Sequence, residues 1–194
     1  MNPFKTFDKT LNLYIDEKAI KELPLRWSEY HRHYHNVNHL LDILQEIEHN
    51  IWFKELNVLD KHALLLAAFF HDIIYKPLEK DNEDKSIKYF INHYKSNNRE
   101  LRDKVCELIE TTKYRKRPIA HLSEIFWEAD NAQFKKSFDT YVKVERNIRK
   151  EFNEVPREKY KNGRLEFLQS CIGLFGATAD KNLLKMMEWV ERTY

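Results

Sequence analysis

Residues Leu64 to Asp72 read LLLAAFFHD, an apolar run that ends in an adjacent imidazole and carboxylate. The run predicts an apolar helix. His71 and Asp72 are costly neighbours for it, because a buried carboxylate and imidazole need partners or a metal. Upstream, Tyr34-His35-Asn36-Val37-Asn38-His39 opens a second apolar-periodic helix. Downstream, Trp127-Glu128-Ala129-Asp130 sets one more acid in an apolar setting. Together they offer His, His-Asp and Asp, a ligand set for one divalent cation with open coordination positions.

The rest of the chain predicts helices around these segments. Its 194 residues suit one domain with a proper core. With only 3 Gly and 5 Pro, breakers are too scarce for anything but long helices and few turns. Phe4, Phe7, Leu11 and Tyr14 predict a first helix over about 3–21, followed by Pro24. Asn36 or Asn38 caps the next, with Leu40, Leu41, Leu44, Ile47 and Ile51 as its buried stripe. Asp60 is the expected cap for the helix carrying Ala63 to Ile74, and Pro77 its stop. Asn82 or Asp81 caps another, with Ile87, Phe90, Ile91 and Tyr94 facing inward. Leu101, Val105, Leu108 and Ile109 mark a fifth, ending in the basic run Lys113 to Arg117. A short helix follows Pro118. Longer ones carry Tyr141 to Phe152, Leu165 to Ile172, and Leu183, Leu184, Met187 and Val190. Nothing alternates with period two long enough for a strand, so the reading is all-α: a compact single-domain helical bundle over residues 1–194.

Composition narrows the function classes. Charged residues are 33% of the chain but nearly balanced at +2, which gives no electrostatic case for nucleic acid or an anionic membrane. No stretch reaches the ~18 apolar residues of a membrane span, and no signal-peptide core opens the chain. Cys106 and Cys171 read as reduced thiols. The expectation is a cytoplasmic protein; the sequence specifies no oligomeric state.

Taken as a conjunction, YHNxxH opening a helix, AAFFHD ending one and Asp130 in an apolar run resemble the HD-domain superfamily of metal-dependent phosphohydrolases. The resemblance is to a bacterial branch known as predicted HD phosphohydrolases. It continues through Asn82-Glu83, Ser86, Ile148-Arg149-Lys150-Glu151-Phe152, Tyr160 and Gly163-Arg164. It implies an HD-like fold and a metal-dependent hydrolase. The YHNxxH segment is also similar to cyclic nucleotide phosphodiesterases, where the first His donates a proton and the second binds metal. By motif position, His39, His71, Asp72 and Asp130 would bind one divalent ion (Mn²⁺, Fe²⁺, Ni²⁺, Zn²⁺ or Mg²⁺). His35 would be the general acid, and Asp72 would also help orient water. The chain departs from the branch at Thr112, where Thr-x-x-His is usual and Lys113-Tyr114-Arg115 follows instead. A second metal is therefore in doubt. Asp-Ala-Asp-Leu is replaced by Glu128-Ala129-Asp130-Asn131, which keeps Asp130.

The expected partner is a small phosphorylated molecule. Arg32, Lys113, Arg115, Arg149 and Arg164 are candidate phosphate clamps, since guanidinium matches phosphate bidentately. Bland readings stand beside them. Lys113 to Arg117 reads more readily as a solvated loop, and Arg149 with Glu145 and Glu151 as pairing on a helix surface. Glu83 either contacts the substrate side of the site, bonding a water or His35, or caps the helix at Asn82. Two other classes stay open. A di-iron oxygenase on the same scaffold would need further ligands, for which only His93 and His121 are available. The other is a nucleotide-binding module without turnover.

Overall fold

Short polar side chains start most of the helices. In the computed structural model, which describes residues 2–113 and 116–194, Asn2, Asp16, Asn36, Asn57, Asn98 and Ser137 each accept a hydrogen bond from a first-turn amide. Those caps open α1 (Pro3–Thr6), α3 (Glu17–Arg26), α4 (Val37–His49), α5 (Val58–Phe70), α7 (Arg99–Thr111) and α9 (Phe138–Glu151). Between and after them lie α2 (Asp8–Tyr14), α6 (Asn82–His93), α8 (His121–Asp130), α10 (Arg157–Cys171) and α11 (Ala177–Thr193). Short 3₁₀ turns cover Phe53–Glu55 and Ala132–Lys135. Among the described residues the fold is all-α, as the periodicity implied, apart from an isolated bridge between Ile15 and Tyr94.

That bridge overturns the first predicted helix. The stretch 3–21 breaks at Phe7 and again at Ile15, where the amides of Asp16 and Lys95 bond the carbonyls of His93 and Tyr14 at 3.0 and 2.8 Å. Pro24 lies inside α3 rather than after a helix. Burial of Leu23 and Trp27, with the Trp27 indole N–H on the Phe69 carbonyl at 3.0 Å, carries the helix past its one missing amide. Asn57, not Asp60, caps α5; Asp60 instead pairs with Lys104 at 2.6 Å. α5 stops at Phe70, four residues short of Ile74. Ile51, Ile91 and Leu184, expected inside, are exposed. Ile51 lies beyond the end of α4, and α11 buries Ala179, Leu183, Met186 and Val190 along a neighbouring stripe.

Two apolar clusters organise the bundle. The larger is drawn from α2 through α8 and contains Trp27, Leu40, Phe69, Phe70, Phe90 and Phe126. α5 runs through it buried from Ala63 to Phe70, and each fully buried Phe contributes about 1.5–3 kcal/mol. The smaller begins at Trp127, which stacks on Phe175 with centroids 4.3 Å apart, and continues through Phe134, Tyr141, Leu168 and Leu183. Adjacent residues Phe126 and Trp127 thus belong to different clusters, and α8 is the seam. Cys106 and Cys171 are free thiols. No helix among the described residues is long and apolar enough to cross a membrane.

Candidate metal centre

The end of α5 sets the centre. His71 is its C-cap and its amide still bonds the Ala67 carbonyl at 2.8 Å, while the carbonyls of Asp72 and Ile73 lie past the last turn without helical donors. Arg32 satisfies them. Its guanidinium, fully buried, donates to the carbonyls of His35 (3.1 Å), Asp72 (2.7 Å) and Ile73 (3.2 Å) and to the Glu29 carboxylate (2.9 Å). Sequence reading made Arg32 a phosphate clamp; this geometry makes it a fastener between the His35 loop and the His71-Asp72 turn. Asn82 and Ser86 fix the following segment. Asn82 bonds both backbone groups of Lys76, and Ser86 bonds both of Ile74.

One ligand atom each from His39, His71 and Asp72 lies within 4.8 Å of the other two. The Nε2 atom of His39 is 3.2 Å from Asp130 Oδ1. His71 Nε2 is 3.3 Å from Asp72 Oδ2 and 3.6 Å from Asp130 Oδ1. Ligands about 2.1 Å from a shared ion stand about 3.0–3.4 Å apart, which the 3.2 and 3.3 Å separations match, with Asp130 slightly farther from His71 and outside the tight group of three. The chemistry of His71 points the same way. Its Nδ1 lies 3.0 Å from the Ala68 carbonyl, which can only accept, so Nδ1 carries a proton and neutral His71 presents a lone pair at Nε2. That Nε2 is buried without a hydrogen-bond partner, a costly state that a cation relieves.

Electrostatics bind the group together. Burial works against a charged His71, but the Asp72 and Asp130 carboxylates outweigh it and lift its pKa to about 9, so a cation bound here would have to displace the proton at Nε2. Burial opposes ionisation of Asp72 too, and the His71, His35 and His39 imidazoles more than reverse this, holding its carboxyl well below the usual range. For His39 burial prevails and lowers the pKa, which favours the neutral ring that a metal ligand requires.

His35 stands apart from this set. Asn36 caps α4, so His35 precedes the helix and reaches over its mouth. Its Nδ1 is 2.7 Å from Glu151 Oε2, while Glu151 Oε1 accepts from the amides of Tyr34 and His35 at 2.6 and 2.9 Å. Tyr75 donates its hydroxyl to the same carboxylate at 2.8 Å and stacks on the His35 ring at 4.2 Å. Burial disfavours the imidazolium, but Glu151 outweighs it and raises the His35 pKa. Glu151 itself is held down at about 2, because His35 and the two amides overcome its burial. The bland alternative from the sequence, pairing of Glu151 and Glu145 on a helix surface, does not hold, because both are buried. The available signal was their position, with Tyr141 and Ile148, on the buried stripe of α9.

A cavity of about 310 Å³ opens over the centre, lined in part by His35, His39, His71, Asp72, Glu83, Asp130, Phe152, Arg164 and Phe167. Glu83 sits in the first turn of α6, its pKa raised by burial and by the Asp72 charge. The sequence offered His35 as its partner, a place that Glu151 takes. Arg164 reaches the cavity with its Nε on Glu145 at 2.6 Å; Glu145 also accepts from the Tyr160 hydroxyl at 2.7 Å. Lys113 pairs with Asp84 at 2.6 Å, and Arg149 closes the end of α9 by donating to the Phe152 and Val155 carbonyls. Neither lines the cavity. Arg115 lies outside the described residues. His93 is 2.8 Å from Asp16 and His121 packs against Trp52, so neither joins the cluster. No profile of a known protein family matches the chain, and no curated protein matches it.

Proposed function

We propose that this chain is a metal-dependent phosphohydrolase of the HD type. Its substrate in this reading is a phosphoester or phosphoanhydride of a nucleotide or other small metabolite, in the cytoplasm. One observation carries the reading: the orphaned, buried Nε2 of His71, ringed by His39, Asp72 and Asp130 at ligand-sharing separations. Those four residues would hold a Mn²⁺, Fe²⁺, Ni²⁺, Zn²⁺ or Mg²⁺ ion, which when bound supplies Lewis acidity toward a phosphoryl oxygen and acidifies water.

The chain's own residues supply the rest. His35, charged because Glu151 faces its Nδ1, donates a proton from Nε2 to the departing oxygen, a task for a group titrating near neutrality. Glu151 and the Tyr75 ring hold the imidazole in place, so little orientational freedom is lost on reaction. Arg164 keeps its terminal nitrogens for a phosphoryl oxygen while Glu145 fixes its Nε. The di-iron alternative gains no support, since His93 and His121 are engaged elsewhere. A phosphate-release screen over nucleotides and sugar phosphates, with Mn²⁺, Mg²⁺, Ni²⁺ and Fe²⁺ each added, tests the reading. Release above the protein-free blank that disappears with chelator is the expected result. Tight metal binding with no release from any compound would leave a binding module instead.

A further inference from the structure

The cations around the cavity do not make a polyphosphate site. Arg32 is spent on three backbone carbonyls and Glu29, Arg149 on the carbonyls of Phe152 and Val155, and Lys113 is paired with Asp84. Among the described residues lining the cavity, the acids Asp72, Asp130 and Glu83 face a single permanent cation, Arg164. Two of those carboxylates balance a divalent ion. Glu83 is then left opposite one guanidinium, whose Nε is already committed to the buried Glu145, and near the Lys113 ammonium, which is balanced by Asp84. One phosphoryl group fits this balance, through the ion and Arg164. With His35 committed to the leaving oxygen, no further cation among the described lining residues meets a second anionic group, which must enter some 310 Å³ of space beside Glu83. Like charges in such a confined site repel one another. The remaining lining is suited to uncharged matter, with the Phe152 and Phe167 rings and the Asn131 and Gln133 amides.

We propose that the cavity selects compounds with one phosphoryl group whose remaining part is neutral or cationic, and that Glu83 is the residue that turns distal anions away. The phosphoryl half of this inference rests on the phosphohydrolase reading; the charge selection rests on the cavity wall.

Three probes of similar size separate the possibilities: O-phosphoethanolamine, ethyl phosphate and phosphoglycolate, whose distal ends are cationic, neutral and anionic. Their binding to the full chain loaded with Mn²⁺ is measured by titration calorimetry, with phosphate release followed in parallel. Phosphoglycolate is expected to bind at least about tenfold more weakly than ethyl phosphate, with phosphoethanolamine equal to it or tighter. Glu83→Gln should bring phosphoglycolate and ethyl phosphate within about twofold of one another. If that variant does not fold, the wild-type ranking is repeated at rising salt, where a ranking set by charge shrinks and one set by shape does not. Phosphoglycolate binding as tightly as ethyl phosphate overturns the inference. So does a ranking unchanged in Glu83→Gln or by salt, or no binding of any probe. The expected ranking without phosphate release from any of the three counts against the hydrolase reading and leaves the selection standing. Release with phosphoglycolate preferred does the reverse.

Discussion

Glu151 grips His35 at two points, accepting its backbone amide at Oε1 and its ring Nδ1 at Oε2, across 116 residues of sequence. The same carboxylate therefore sets the loop and the ring that the loop presents. Acid should expose this arrangement. The folded-state pKa of Glu151, about 2, lies below its ordinary 4.5, so ionised Glu151 stabilises the fold above about 4.5 and that contribution is lost as pH falls toward 2. In Glu151→Gln the denaturation midpoint should therefore vary less with pH between those limits than in the wild type. Urea titrations at a series of pH values measure this, and parallel curves for the two proteins would refute it.

His35→Ala should retain metal and lose roughly 10²–10⁴-fold in turnover, the scale of general acid catalysis. The loss should shrink with p-nitrophenyl substrates, whose leaving oxygen needs little protonation. Metal analysis beside the two rate measurements decides between roles. A variant stripped of its ion would mean that His35 is a ligand instead.

Asp72→Ala should remain folded and stop retaining metal. Its carboxylate sits among three imidazoles rather than in the apolar core, so circular dichroism should stay helical while bound metal falls to background. In the wild type, added cation at about 100 times its Kd should stabilise the fold by about 2.7 kcal/mol. The variant should show no such gain in thermal melts.

Arg32→Ala should behave as a fold mutation and not as a substrate mutation. Four charge-assisted hydrogen bonds from a buried guanidinium are lost with it, at a cost of roughly 2–4 kcal/mol. Chemical denaturation should show that loss. A variant of normal stability with only a raised KM would restore the phosphate-clamp role.

The helical class was legible because Gly and Pro are rare, and the clustered His and Asp residues because their chemistry is too costly to bury without purpose. What escaped the sequence was set by long-range contacts. The break at Ile15 depends on Tyr94, and the end of α5 on a guanidinium from Arg32. Glu145 and Glu151 lie in a helix dense with charge, where local pairing with Arg149 was the natural reading; both carboxylates instead take tyrosine hydroxyls, from Tyr160 and Tyr75. Arg149 also turned inward along its own helix, onto the Phe152 and Val155 carbonyls. Sequence spacing identifies which side chains share a face, but not which of them meets a distant partner.

On the proposed function, the seam at α8 allows an order of assembly. His39, His71, Asp72 and Asp130 all belong to the segment ending with that helix, whereas the carboxylate that orients His35 arrives with α9 and is held by the second apolar cluster. During synthesis from the N-terminus, the cation cluster can therefore gather before the proton donor has its anchor. An ion captured at that stage would wait in a site not yet competent to cleave, and docking of the last three helices would switch it on.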